Sequence, residues 1–272
     1  MKEKHTAIVL AAGSGKRMHS QVQKQYMDLF GKPVLYYALR QFEECEFIDE
    51  VILVTKKDEI AYCREKIVEV YHLQKVKDII EGGEERYLSV YNALKAAGAC
   101  DYIYIHDGAR PFVDQEMLQR LKEAVCTYGA CVAAVPSKDT LKLADEALFA
   151  KETLKRSEVW NIQTPQVFAY PDILGAYEKM MQEDHTKMGI TDDAMVLEKM
   201  EGQKQVVIYL MADDHIEVEV QPLTMGDLCE IVGTDRKVAD FVKQMSVTGL
   251  QPQETGRSVI SVLMLVEVIT VQ

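Results

Sequence analysis

Apolar and polar positions along the first half of the chain follow two periods in alternation. Short runs rich in Val and Ile recur at Ala7–Leu10, Val51–Thr55, Val76–Ile80, Tyr102–His106 and Cys131–Val135, each of strand length. Between them lie segments of helical character: Pro33–Phe42, Glu59–Tyr71, Tyr87–Ala97 and Gln115–Tyr128. In the last of these, Met117, Leu118, Leu121, Ala124 and Val125 share one face of a helical repeat. This alternation predicts an α/β fold, a mainly parallel sheet with helices on both faces. In such folds ligands sit outside the carboxyl ends of the strands.

After Val135 the pattern changes. Residues 136–161 carry many charges, a turn-like Ser137-Lys138-Asp139, and short alternating stretches at Thr140–Leu143 and Glu152–Lys155. They predict a β-arm of paired strands projecting from the sheet. Helices are expected again at Pro171–Glu183 and Asp192–Met200, and a strand at Val206–Leu210. Beyond Gln221 a helix is expected over Met225–Gln244, a polar linker over Thr248–Ser258 and an apolar, β-rich stretch over Val259–Val271. The expected division is a main domain over 1–244, with its arm at about 136–161, and an atypical tail over 245–272.

Composition narrows the function. The 272-residue chain has a formal net charge of -12, so it lacks the basic field that nonspecific nucleic-acid binding requires. A small anionic ligand needs only a local cation cluster, and Lys16, Arg17 and Lys24 supply one. The six cysteines contain no C-x-x-C pair, which fits reduced thiols in a cytoplasmic protein better than a disulfide framework or a zinc site. No signal peptide and no run of about 20 apolar residues is seen, so no membrane partner is expected.

The chemistry-bearing stretches fall at predicted strand ends. Ala11-Ala12-Gly13-Ser14-Gly15-Lys16-Arg17-Met18 follows the first strand. Small residues there let backbone N–H groups approach phosphate oxygens. The spacing matches neither the Walker A loop nor the dinucleotide fingerprint, because Met18 stands where a third glycine would be. Gly82, Gly83, Glu84 and Ser89 follow another strand and have the character of a base-edge loop; a plain turn before a helix is the alternative. In His106-Asp107-Gly108-Ala109-Arg110-Pro111, a strand-end carboxylate is suited to a hard cation such as Mg²⁺, with a turn-capping Asp as the alternative. Thr140, Arg156 and Thr164 lie on or beside the arm; a hydroxyl and a guanidinium fork suit a phosphate, and a solvated surface is the alternative. Thr191-Asp192-Asp193 has the character of a helix N-cap.

Taken together and in order, A-A-G-S-G-K-R-M, K-Q-Y at 24–26, E-G-G-E-E-R at 81–86, H-D-G-A-R-P at 106–111, K-D-T at 138–140 and Q-T-P-Q at 163–166 resemble the 2-C-methyl-D-erythritol 4-phosphate cytidylyltransferases of the non-mevalonate isoprenoid pathway. The similarity runs from about Thr6 to Leu210. The ribitol-5-phosphate cytidylyltransferases share much of the set and are the alternative.

The resemblance implies a Rossmann-like nucleotidyltransferase that joins CTP to a polyol phosphate and releases pyrophosphate. It implies that Arg17 and Lys24 stabilise charge on the transferring phosphate, with Arg156 as a third catalytic group. Ala11, Ala12, Gly13, Gly15, Gly82, Gly83, Glu84 and Ser89 would line the nucleotide site, although the family often has Asp at the Glu84 position. Arg110, Thr140, Arg156 and Thr164 would bind the acceptor, and Asp107 with Asp214 would hold Mg²⁺. It also implies a homodimer through the arm, so that Arg156 serves the partner's site. One departure is visible: His215-Ile216-Glu217 stands where the family has Asn-Ile-Lys. Loss of that lysine leaves a catalytically weakened nucleotide-binding homologue as a further alternative.

Overall fold

The computed structural model describes residues 2–13, 22–202 and 206–210. The strands are β1 (His5–Leu10), β2 (Asp28–Leu29), β3 (Lys32–Pro33), β4 (Ile48–Thr55), β5 (Val76–Glu81), β6 (Tyr102–Asp107), β7 (Ala130–Pro136), β8 (Lys142–Ala144), β9 (Ala150–Thr153), β10 (Trp160–Ala169) and β11 (Val207–Leu210). The helices are α1 (Val34–Glu44), α2 (Ile60–Tyr62, continued by a wider π-type stretch over Cys63–Val68), α3 (Arg86–Ala96), α4 (Gln115–Tyr128), α5 (Tyr170–Gln182) and α6 (Asp193–Glu201). The chain divides into two compact units, residues 1–14 with 34–213, and residues 15–33 with 214–272.

The first unit is built on a seven-stranded sheet of order β11-β7-β10-β6-β1-β4-β5. β1 pairs in parallel with both β4 and β6, β4 with β5, and β11 with β7. β10 runs antiparallel to both of its neighbours, β6 and β7. The expected mainly parallel α/β sheet is present. The antiparallel β10 was not anticipated, because Pro165 and the polar Asn161–Thr164 stretch do not have the pattern of an interior strand. The register of β10 against β7 breaks between Ile162 and Gln166, and that interruption is where the proline is accommodated.

Side chains alternate across the sheet because successive Cβ atoms point to opposite faces. One face buries Ile8, Ile52, Val54, Ile103, Ile105, Val132 and Phe168 beneath Val90 and Leu94 of α3, Ile173 and Tyr177 of α5, and Val196 and Leu197 of α6. The helix at Gln115–Tyr128 agrees with the expected range and has two local causes. The Asp114 carboxylate accepts a 2.7 Å bond from the Met117 amide, the N-cap geometry. At the other end Gly129 takes a φ of +80°, a left-handed conformation that suits glycine. The helix expected over Glu59–Tyr71 is less regular: amides of Glu69 and Leu73 bond five residues back, to Arg64 and Val68, while Cys63 and Ile67 enter the core.

The arm is present as the antiparallel pair β8–β9, with Lys142 opposite Thr153. Its turn exposes Leu148 by 87% and Phe149 by 72%, and these two carry no core role in one copy of the chain. The described cysteines Cys45, Cys63, Cys100, Cys126 and Cys131 are free thiols. Among the described residues no helix is long and apolar enough to cross a membrane. The helix, linker and β-rich stretch expected over 225–271 lie outside the described residues.

In the second unit the described residues are 22–33. They form a single 3₁₀ turn at Lys24–Tyr26 and the two-residue hairpin β2–β3, in which the Asp28 carboxylate accepts a 2.9 Å bond from the Gly31 amide.

Candidate active site

The carboxyl ends of β1, β5 and β6 each extend their backbone ladders by one residue, and this sets the site's floor. The Ala11 amide donates to Val54 O at 2.7 Å, the Gly82 amide to Thr55 O at 2.9 Å, and the Gly108 amide to Leu10 O at 2.8 Å. The strand order reverses between β1 and β6, the kind of switch point at which open α/β sheets place ligands. Close approach explains two glycines. A Cβ on Gly82 would lie 2.6 Å from Ala12 Cβ and 2.8 Å from Ser89 Oγ, and one on Gly108 would lie 2.7 Å from Leu35 Cδ1. The Ala11–Gly13 and Gly82–Gly83 loops are therefore in contact. Ser89 Oγ accepts a 3.0 Å bond from the Gly83 amide and so holds the second loop from beneath. Gly82→Ala is expected to push the two loops apart, since such an overlap costs about 1–3 kcal/mol when repacked, and, with the loops in the role the resemblance implies, to weaken nucleotide binding roughly 10-fold or more. Calorimetric titration with CTP checks this.

Beside the loops, Asp107 is held by two arginines. Arg86 Nε donates to its Oδ1 at 3.2 Å and Arg110 Nε to its Oδ2 at 3.1 Å. Burial works to raise the Asp107 pKa, but the Arg86 and then the Arg110 guanidinium override it and hold the carboxyl at about 2. Arg86 also spans to Asp193 with a two-pronged pair, Nη1 to Oδ1 at 3.0 Å and Nη2 to Oδ2 at 2.9 Å. Asp193 is fully buried, and Tyr177 donates its hydroxyl to Asp193 Oδ1 at 2.6 Å. Burial, and then the Asp193 charge, raise the Tyr177 pKa well above its ordinary value, so it remains a donor. Arg110 is further tied to the Gln163 side-chain oxygen.

Underneath, His106 and Thr164 fix the backbone of the Asp107–Arg110 loop. His106 Nε2 lies 2.9 Å from Arg110 O, and Nδ1 lies 3.0 Å from Thr164 Oγ1. A carbonyl only accepts, so Nε2 carries the proton and Nδ1 receives the Thr164 hydroxyl hydrogen. Burial lowers the His106 pKa to about 4, which keeps the ring neutral and this arrangement intact at neutral pH. Thr164 Oγ1 in turn accepts the Asp107 amide at 3.2 Å.

Two glycine-bearing loops beside an arginine-flanked carboxylate at a sheet switch point are chemically suited to an anionic ligand. Sequence comparison gives the site its family. The profile of 2-C-methyl-D-erythritol 4-phosphate cytidylyltransferase matches residues 5–217. A protein of that name from Lachnospira eligens is 50% identical over 200 residues, covering 74% of this chain and 87% of the relative. One from Lachnoclostridium phytofermentans is 40% identical over 240 residues, covering 88% of this chain and 100% of the relative. The chain belongs to the 2-C-methyl-D-erythritol 4-phosphate cytidylyltransferase family. The crystal structure of 4-diphosphocytidyl-2C-methyl-D-erythritol synthase from Anaerococcus prevotii superposes with a TM-score of 0.68 at 29% identity, covering 85% of this chain and 95% of that one. A second profile, that of Stage V sporulation protein AA, matches residues 205–272 and overlaps the first over 205–217.

Within this cytidylyltransferase fold the expected nucleotide residues Ala11, Ala12, Gly82, Gly83 and Ser89 come together, with Gly13 next to them at an exposed end of the loop. Glu84 is exposed. Arg110 and Asp107 are joined. Thr140 and Arg156 form a separate pair on the arm, Arg156 Nη2 donating to Thr140 Oγ1 at 3.2 Å. Among the described residues no hydrogen bond or ion pair links that pair to Asp107. Thr164 is buried, and its hydroxyl hydrogen is committed to His106, so it supports the loop backbone and has no hydrogen left to give a phosphate. Lys24 belongs to the second unit. Gly15, Arg17, Asp214 and Glu217 lie outside the described residues. Sequence reasoning assigned no role to Arg86 or Asp193. Arg86 falls within the E-G-G-E-E-R stretch, which names no partner for it, and Asp193 falls within the stretch that has the character of a helix cap. The cap is in fact Asp192, which accepts from the Met195 amide at 2.9 Å, and this leaves Asp193 to pair inward.

Proposed function

We propose that the chain transfers CMP from CTP to 2-C-methyl-D-erythritol 4-phosphate with release of pyrophosphate. The observation that carries this reading is the contact of the Ala11–Gly13 and Gly82–Gly83 loops beside the Asp107–Arg110 pair, in a chain of this family. The acceptor's phosphate oxygen attacks the α-phosphorus of CTP; that bond forms as the bond to the β-phosphate's bridging oxygen breaks. The protein's contribution is positioning and electrostatics. Arg17 and Lys24 take the charge that develops on the transferring and leaving phosphates. Arg110 binds the acceptor phosphate, with Thr140 and Arg156 reaching it from the arm of a second copy. A homodimer of this kind would also cover the exposed Leu148 and Phe149. The reduced thiols suit a cytoplasmic enzyme.

Mg²⁺ fits the donor set. Among the described residues Asp107 offers a cation one carboxylate, beside the two glycine loops. Magnesium prefers that arrangement, completing its shell with phosphate oxygens and water. Asp107 would hold the ion, with Asp214 as the second carboxylate, and the ion would supply neutralisation of the triphosphate charge.

Glu217 falls in the stretch matched by both profiles. We read residues from about 205 onward as drawing on a second family, so that the acceptor-positioning lysine implied by the resemblance is absent at 217. On this reading the appended segment would begin before the tail expected at 245–272. Pyrophosphate release should be measured over a CTP, UTP and ATP panel with 2-C-methyl-D-erythritol 4-phosphate and ribitol 5-phosphate as acceptors. CTP-specific release with the first acceptor is the expected result. Release with ribitol 5-phosphate alone, or with no acceptor, overturns the reading. A Glu217→Lys chain run alongside should turn over faster.

A further inference from the structure

Asp107 is flanked by two arginines that are not equivalent. Arg110 meets it through one 3.1 Å bond and otherwise contacts Gln163. Arg86 meets the other carboxylate oxygen through Nε, while its two terminal nitrogens are both committed to Asp193. Asp193 cannot move easily. It is fully buried, receives the Tyr177 hydroxyl at 2.6 Å, and gives its own amide to Gln166 Oε1 at 3.0 Å. Arg86 is also the first residue of α3, immediately after the glycine loop that touches Ala12. One planar guanidinium thus ties together the loop, the end of β6 and the start of α6.

We propose that Arg86 is a positioning residue for nucleotidyl transfer: clamped by Asp193, it fixes one oxygen of Asp107 in register with the Gly82–Gly83 loop and leaves the Arg110-bonded oxygen as the one that exchanges partners when a metal–nucleotide arrives. This rests on the proposed role of Asp107 in the CTP site. The geometry needs arginine. The fork supplies two parallel bonds to Asp193 and a third, at a fixed angle, to Asp107. A lysine ammonium in the same place is a single point charge that serves one carboxylate or the other. Among these four side chains two cations balance two carboxylates, so displacement of Arg110 from Asp107 leaves one negative charge facing the site, the sign a cation requires.

The test uses the full chain with Arg86→Lys and Asp193→Asn. Mn²⁺ binding in the presence of CTP is followed by the electron paramagnetic resonance of free Mn²⁺, which needs no turnover. Pyrophosphate release and thermal unfolding are measured in parallel. Arg86→Lys is expected to weaken Mn²⁺–CTP binding roughly 10- to 100-fold, as loss of a group that orients a metal ligand does, and to lower kcat with the acceptor KM unchanged. Asp193→Asn should shift both in the same direction by less. If either folded variant titrates with Mn²⁺–CTP as the wild type does, while only its melting temperature falls, Arg86 is structural and the proposal is overturned. Should Arg86→Lys not fold, Asp193→Asn decides alone. If the wild type binds Mn²⁺–CTP but transfers CMP to no acceptor, the functional reading fails while the Mn²⁺ titrations still decide the role of Arg86.

Discussion

Asp193→Ala should be among the most damaging single substitutions in this chain, costing about 3–5 kcal/mol of stability. The carboxylate is fully buried and receives both terminal nitrogens of Arg86 and the Tyr177 hydroxyl. Its removal leaves a guanidinium with two unpaired donors and strands the buried Tyr177 donor. The mutual attraction of the pair is not the main term, because desolvating two charges offsets much of it. What is lost is the compensation for groups that have already left water. Against a total of about 5–15 kcal/mol for an ordinary domain, such a loss removes a large part of the margin. Urea unfolding of the wild type and the variant measures it. The double substitution Arg86→Met with Asp193→Leu should recover a substantial part of the stability, since it removes the buried carboxylate together with its counter-charge, and should leave activity low. A single Asp193→Ala variant within about 1 kcal/mol of the wild type would show that this pair is solvated in practice.

Arg17→Gln is expected to lower kcat roughly 100- to 1000-fold, equivalent to about 3–4 kcal/mol of barrier, with a much smaller change in the KM for CTP. Arg17 follows the small-residue run Ala11-Ala12-Gly13-Ser14-Gly15 in the sequence, and within that run Ala12 meets the second loop. In the role proposed for it, its guanidinium would act on charge that grows as the α-phosphorus bond is exchanged. An interaction realised mainly in the transition state appears in kcat, whereas one made equally in the ground state appears in KM. Steady-state pyrophosphate release over a CTP titration separates the two. A loss wholly in KM would reassign Arg17 to ground-state binding of the triphosphate.

The strand–helix alternation of the first half was legible because it is local. Ala7–Leu10, Tyr102–His106 and the apolar face of Gln115–Tyr128 carry their own period. The motif glycines were legible for a similar reason: residue types at fixed short spacings have few uses. The arm at 136–161 declared itself by a change in composition, and β8 and β9 fall within it. The strand that sequence did not disclose, β10, contains Pro165 and lies between β6 and β7, strands that precede it by dozens of residues. Neither its direction nor its slot has a local cause.

The same division runs through the site. Sequence by itself named the candidates: the small-residue loop and the Arg and Thr side chains flanking the arm for phosphate, and the strand-end Asp107 for a cation. Only tertiary structure decided that Asp107 is shared between two arginines, that Thr164 faces inward to His106, and that Arg86 pairs with an aspartate 107 positions away. Periodicity and spacing report on neighbours a few residues apart. An ion pair between the starts of two distant helices, buried at its aspartate end, follows from how the helices pack on the sheet, and no short stretch of the chain encodes it.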